Sequence, residues 1–292
     1  MSTDCHHTRG DSANVERRDC VRAQSRDRIR GVLASLLLLG VFTAEGSAAA
    51  DELRVAAASD LQFALRDLSV QFQKKTGHTV SITYGSSGNF YSQIENGAPF
   101  DLFFSADIEY PRKLESVGLA EPRTLYKYAV GRIVIWMPAE AKPDLAKLGW
   151  NALLDTAIQK IAIANPAHAP YGRAAVAALK TAGIYEKVAT KLVYGENISQ
   201  AAQFVESGNA QAGIVALSLA LSPAMRDKGK RWEIPADAHP PIEQAAIMLR
   251  SSTKKETARV FLDFVKSQES QKILASYGFQ IPLQDDAAGG RK

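Results

Sequence analysis

Leu53-Arg54-Val55-Ala56-Ala57-Ala58-Ser59-Asp60 and Val80-Ser81-Ile82-Thr83-Tyr84-Gly85-Ser86-Ser87-Gly88-Asn89 carry one pattern twice: an apolar strand runs straight into small polar residues that open a helix. Leu61, Ala64, Leu65, Leu68 and Phe72 follow the first at helical spacing, closed by Lys74-Lys75-Thr76-Gly77, and Phe90 and Ile94 follow the second as a short amphipathic turn. A strand that hands a hydroxyl and free backbone N–H groups to a helix N-terminus makes an anion site. First-turn donors have no acceptor in the helix, and the macrodipole is positive there. Two such ends predict one shared ligand.

Outward from these stretches the alternation continues. Residues 79–84 read as a strand, 89–96 as a short helix stopped by Gly97, and 101–105 as a buried strand by its continuous apolar run. After the linking Tyr126-Lys127-Tyr128, a strand over 132–136 opens a second series. Strands at 161–164, 192–194 and 212–215 are each followed by a helix, at 172–182, 198–207 and 218–227. Residues 245–249 read as a returning strand, and Ala258, Phe261, Leu262 and Val265 as a helix that packs back on the first lobe. Alternating strands and helices imply an α/β fold with mostly parallel sheets, whose ligands sit off the carboxyl ends of the strands.

The chain has 292 residues, 46% apolar and 23% charged, an ordinary globular composition long enough for two lobes. The first fifty differ: Arg26, Arg28 and Arg30 precede an apolar run over 31–44 and the small residues Gly46-Ser47-Ala48-Ala49-Ala50. Such a segment reads as a secretory signal cleaved near Ala50. The polar stretch before Arg26 is either an over-extended translation start or a disordered leader. Both cysteines, Cys5 and Cys20, lie in it, so the exported chain is expected to carry no thiol, disulfide or lipid anchor, as a soluble periplasmic protein. Removing the leader's seven Arg and six acidic residues from totals of 35 and 31 leaves 28 against 25. A balance that small argues against nucleic-acid binding, so any anion site must be local.

With its blocks taken together, the chain resembles the periplasmic molybdate-binding proteins, the soluble receptors of molybdate ABC transporters. The resemblance is carried by Ala56-Ala57-Ala58-Ser59-Asp60-Leu61, Tyr84-Gly85-Ser86-Ser87-Gly88-Asn89 and Gly97-Ala98-Pro99-Phe100-Asp101-Leu102-Phe103-Phe104-Ser105-Ala106-Asp107. Asn165-Pro166-Ala167-His168-Ala169-Pro170-Tyr171-Gly172, Gly213-Ile214-Val215-Ala216 and Tyr277-Gly278-Phe279 complete it, over residues 52–282 in order and spacing. It implies a two-lobed class II periplasmic solute-binding fold with a hinge of two crossovers. Lobe 1 would span 51–130 plus 241–285 and lobe 2 131–240, after a leader and signal peptide over 1–50 and before a disordered tail over 286–292.

The resemblance also implies a tetrahedral oxyanion, molybdate and with it tungstate, held by hydroxyls and main-chain N–H groups without a buried counter-cation. The ligands carried over are Ser59, the backbone N–H of Asp60, and Ser87 from lobe 1, with the backbone N–H groups of Tyr171 and Ile198 from lobe 2. No cofactor, bare metal cation or nucleic acid is implied; the expected partner is a membrane permease driven by a cytoplasmic ATPase, and the expected state is a monomer. One departure stands out, because some members place a tyrosine hydroxyl on the anion just after the Gly-Ile-Val strand and here that position is Ala216. Tyr171 then supplies either a replacement hydroxyl or a backbone contact only. Asp60 beside a dianion is repulsive, so its carboxylate is expected to turn back as an N-cap on its own helix.

Other polar residues read more plainly. His168 between prolines is expected on the surface, and it shares no metal-ligand spacing with His78 or His239. Asp101 and Asp107 are expected to be solvated or to cap, and Arg132 and Arg173 to serve the surface. For an enzyme the nearest nucleophile is Ser87, but Gly85-Ser86-Ser87-Gly88-Asn89 fails the hydrolase elbow at its last position, and neither a P-loop, a dinucleotide fingerprint nor His-Glu-x-x-His occurs. A periplasmic serine esterase is the alternative from another class. Among oxyanions the rivals are sulfate and phosphate. Phosphate at neutral pH carries a hydrogen that needs an acceptor, whereas molybdate and tungstate want donors only. Hinge closure is expected around 128–133 and 236–246.

Overall fold

The computed structural model describes residues 50–282. Except for Ala50, the expected leader and the expected tail lie outside them. The chain begins β1 (Glu52–Ala58), α1 (Gln62–Thr76), β2 (Thr79–Gly85), α2 (Ser87–Glu95), β3 (Leu102–Ser105), α3 (Glu109–Ser116) and β4 (Tyr126–Gly131). It then crosses to a second set: β5 (Ile133–Pro138), α4 (Leu145–Leu148), β6 (Ile161–Ala164), α5 (Pro170–Thr181), α6 (Tyr185–Val188), β7 (Leu192–Gly195), α7 (Ile198–Glu206), β8 (Ala212–Ala216), α8 (Leu217–Ala220) and β9 (Gly229–Glu233). Finally it returns through β10 (Ile242–Met248), α9 (Lys255–Lys266) and α10 (Gln268–Ser276). Among the described residues no helix is long and apolar enough to cross a membrane.

Two five-stranded sheets result, in the orders β2-β1-β3-β10-β4 and β7-β6-β8-β5-β9. In the first, β2, β1 and β3 are parallel and β10 runs against both β3 and β4. In the second, β7, β6 and β8 are parallel and β5 runs against β8 and β9. In each sheet the one reversed strand is the first that the chain lays down after crossing into that half, β5 in one and β10 in the other. The crossovers are Arg132, between β4 and β5, and residues 234–241, between β9 and β10.

Side-chain periodicity sorts the core. Along β1, Val55 and Ala57 pack with Leu65, Phe72, Phe104 and Phe261 on one face, while Ala56 packs with Phe90, Phe103 and Ile247 on the other. Strands β3, β6 and β8 are buried at every position, as parallel strands covered on both faces must be, and the edge strand β2 alternates.

Local signals set the helix ends. Gly77 closes α1 at φ 78, the Asn197 side chain caps α7 by accepting from the Gln200 N–H, and Pro170 opens α5, where its missing N–H costs nothing. The sequence reading differs in places. Tyr126-Lys127-Tyr128, read as a link, opens the strand β4 because β10 pairs with it. The helix expected over 218–227 stops at Ala220 ahead of Ser222-Pro223, where the residue before proline disfavours helical backbone. Strand β9 and helices α3 and α10 were not anticipated.

Candidate functional site

Ser59 follows β1, Ser86 and Ser87 follow β2, the Pro170-Tyr171 turn follows β6, and Ile198 follows β7. Each helix start stands at the carboxyl end of a parallel strand, two from each half. They meet. The Ser59 hydroxyl is 3.1 Å from Asn197 Oδ1 and 3.3 Å from the Ser199 N–H that donates to it, and the Ser199 hydroxyl donates to the Ser59 carbonyl at 2.9 Å. Ser59 and Ile198 are thus neighbours across the cleft. Gly88, beside Ser87, donates its N–H to the His168 carbonyl at 3.0 Å, and Ser87 Oγ accepts the Ala106 N–H at 2.9 Å, which leaves its own proton free to point elsewhere. All five expected ligand residues are buried.

Asp60 does not turn back on its helix as expected. Its Oδ2 accepts the Tyr171 hydroxyl at 2.8 Å and the Gln244 amide at 2.7 Å, both from distant segments. Gln244 also donates to Tyr171 Oη at 2.9 Å and accepts the Tyr128 hydroxyl at 2.8 Å. Ser218 donates to the Asp60 carbonyl at 2.8 Å. In this arrangement the Tyr171 hydroxyl donates to Asp60, while its backbone N–H lies in the first turn of α5.

Burial drives the Asp60 carboxyl up to about 6, against partial relief from Gln244, Tyr171 and the N–H groups of Asp60 and Leu61. Tyr171 and Tyr128 are held well above the usual phenol value by burial and by the Asp60 charge. For an acid whose folded value is raised, the associated stability is full below the unfolded value and is lost as pH rises through the folded one. The unfolding free energy of Asp60→Asn minus that of the parent, from chemical denaturation, should therefore rise between pH 4 and 7 by at most about 3 kcal/mol. A constant difference across that range would overturn the assignment.

Among neighbouring residues His168, Asp101 and Arg173 depart from expectation, while Asp107 caps and Arg132 stays near the surface as expected. His168 is half-buried, not freely exposed: its side chain is 19% exposed, with Nδ1 2.8 Å from the Ser86 hydroxyl and Nε2 3.6 Å from Glu196. Asp101 is buried, accepting the Arg54 N–H at 2.8 Å and the Ser252 hydroxyl at 2.7 Å. Asp107 caps the Glu109 N–H at 2.9 Å and reaches Arg173 at 2.5 Å, so Arg173 spans the two halves. Arg132 pairs with Glu233. Among the described residues no cluster of His, Cys, Asp and Glu could hold a metal ion.

Sequence reading missed Gln244, Asn197, Ser199 and Ser218. Gln244 had a signal, a lone amide in an apolar strand, and a bulge between Gln244 and Ala245 aims it at Asp60. Asn197 had one as the N-cap ahead of Ile198.

The bacterial extracellular solute-binding protein family matches residues 53–280. A molybdate-binding protein ModA from Rhodobacter capsulatus is 38% identical over 249 residues, covering 85% of this chain and 95% of that protein. The ModA of Azotobacter vinelandii is also 38% identical, over 84% of this chain and 96% of its own. The solved periplasmic molybdate-binding protein of Azotobacter vinelandii superposes with a TM-score of 0.74 at 36% identity, covering 79% of this chain and 100% of that one. With two sheets whose one reversed strand each follows a crossover, and helix starts from both halves facing one cleft, the chain belongs to the bacterial extracellular solute-binding proteins, as a ModA-like member.

Proposed function

We propose that this chain is a periplasmic receptor that closes its two lobes on molybdate, and on tungstate alike, and presents it to the permease of an ABC transporter. The carrying observation is the convergence at one cleft of helix starts from both halves, with Ser59 and Ser87 on one side and Tyr171 and Ile198 on the other. Among the described residues no lysine or arginine hydrogen-bonds to these groups, so the grip is by dipoles. Anion contact from both sides favours the closed state by differential contact. Export by the leader, a soluble monomeric state and the absence of nucleic-acid binding belong to the same reading.

The esterase reading has one contact in its favour, Ser86 with His168, but Glu196 at 3.6 Å makes no hydrogen bond to the ring and stands largely in solvent. The relatives are binding proteins, and the chain is a binding protein rather than an enzyme.

The test is parallel calorimetric titration with molybdate, tungstate, sulfate and phosphate. Molybdate and tungstate are expected to bind at micromolar concentration or below, with sulfate and phosphate far weaker, because a smaller anion cannot reach donors on both lobes. Equal binding of sulfate overturns the choice of ligand. Ser87→Ala removes one charge-assisted hydrogen bond, about 1.5 to 3 kcal/mol, so its Kd should rise about tenfold to a hundredfold. An unchanged Kd removes Ser87 from the site.

A further inference from the structure

A carboxylate in a cleft built for a dianion is an apparent contradiction, and the surroundings of Asp60 resolve it. The residue is 1% exposed. Its Oδ2 takes two donors, whereas Oδ1 is buried and makes no hydrogen bond, although the Asp60 and Leu61 N–H groups lie close to the carboxyl.

The groups that face Asp60 come from every element packed on it: Tyr171 from α5, Gln244 from β10, Tyr128 from β4 and Ser218 from α8, with Asn197 and Ser199 reaching Ser59 from α7. The titratable ones are the two tyrosines, both held neutral. Among the described residues no lysine, arginine or histidine hydrogen-bonds to the carboxyl.

Burying an ion without a cation, and with one oxygen unmet, is costly, while burying the acid is not. Two donors on Oδ2 leave Oδ1 as the oxygen that carries the proton. An Oδ1–H there is a donor in want of an acceptor, which an oxyanion oxygen supplies.

We propose that Asp60 takes part in anion binding as its carboxylic acid, donating from Oδ1 to the bound dianion, so that closure of the lobes takes up one proton from solvent. The inference rests on the oxyanion-receptor reading and deepens it. As an acid, Asp60 no longer offers the acceptor that the hydrogen of phosphate would need, so the site presents donors only. The rise of the carboxyl to about 6 before any anion is bound has the same sign, and a dianion beside it raises it further.

The deciding measurement is calorimetric titration of the purified protein with sodium molybdate from pH 6 to 8.5, in buffers of different ionisation enthalpy, which counts protons exchanged. The parent is expected to take up about one proton per molybdate toward the upper end, with Kd rising by up to about tenfold per pH unit. Asp60→Asn, an isostere with a permanent donor in place of Oδ1–H, should bind with no such uptake and a flat Kd. His168 is unchanged in both proteins, so a pH response that survives in Asp60→Asn belongs elsewhere and overturns the proposal. Molybdate binding in the parent with no proton uptake and a flat Kd also overturns it and leaves the receptor reading standing. If Asp60→Asn does not fold, the proton count of the parent decides alone. Absence of molybdate binding at every pH overturns both.

Discussion

Gly88→Ala is expected to weaken molybdate binding by about a hundredfold while the free protein folds and melts as before. Gly88 is the second residue of α2, and its N–H donates to the His168 carbonyl on the opposite half. A Cβ built on it would lie 2.6 Å from that oxygen, 3.0 Å from His168 Cα and 2.8 Å from the Tyr110 hydroxyl. Two of these are backbone atoms, which cannot swing aside as the end of a long side chain can. Relief comes only by holding the halves apart, and the donors of the two lobes then no longer reach one anion.

The overlap costs about 1 to 3 kcal/mol, and the lost interlobe hydrogen bond adds about 1 kcal/mol, together near a hundredfold in Kd. Within α2 itself alanine is the better helix former by about 1 kcal/mol, so the open protein loses nothing. Calorimetry gives the Kd, and small-angle scattering should show the variant keeping its open radius of gyration in saturating molybdate. Closure and parental affinity in Gly88→Ala would refute the role of this contact.

Gly172→Ala should instead damage folding. Gly172 lies in the first turn of α5, where the helix passes over the end of β6. Its hypothetical Cβ would overlap the Ala164 carbonyl oxygen and stand 2.8 Å from the Ala164 carbonyl carbon and 2.9 Å from that of Asn165. All of these are backbone atoms of the strand and turn that aim Tyr171 at the cleft. The helix must lift off its strand, at about 3 kcal/mol, well beyond the gain of about 1 kcal/mol in helix propensity. Chemical denaturation measures the loss, and a change below about 0.5 kcal/mol would show that α5 does not need this approach.

These two glycines show where sequence reading reaches its limit. Gly88 is legible as part of a turn into a helix, and Gly172 as a residue at a helix start, but the atoms that forbid a methyl group come from residue 168 on the other half in one case and from the preceding strand end in the other. The anion-site pattern was legible because it is local: a strand, a small polar residue and a helix start lie within ten residues of chain. Strand β4 was not legible as a strand, because its pairing is with residues 242–246, more than a hundred positions later.

The chain's own order of apolar and polar residues was enough for the α/β alternation, the two strand-to-helix ends at Ser59 and Ser87, and the helix starts at Tyr171 and Ile198, since propensity and periodicity act over a few neighbouring residues. The direction of the Asp60 carboxylate was beyond it. Its partners Tyr171 and Gln244 stand 111 and 184 residues away. Burial and hydrogen bonding at such distances exist only once the two halves have folded and met, and they hold the carboxyl of a residue that reads as a repelling charge well above its ordinary value.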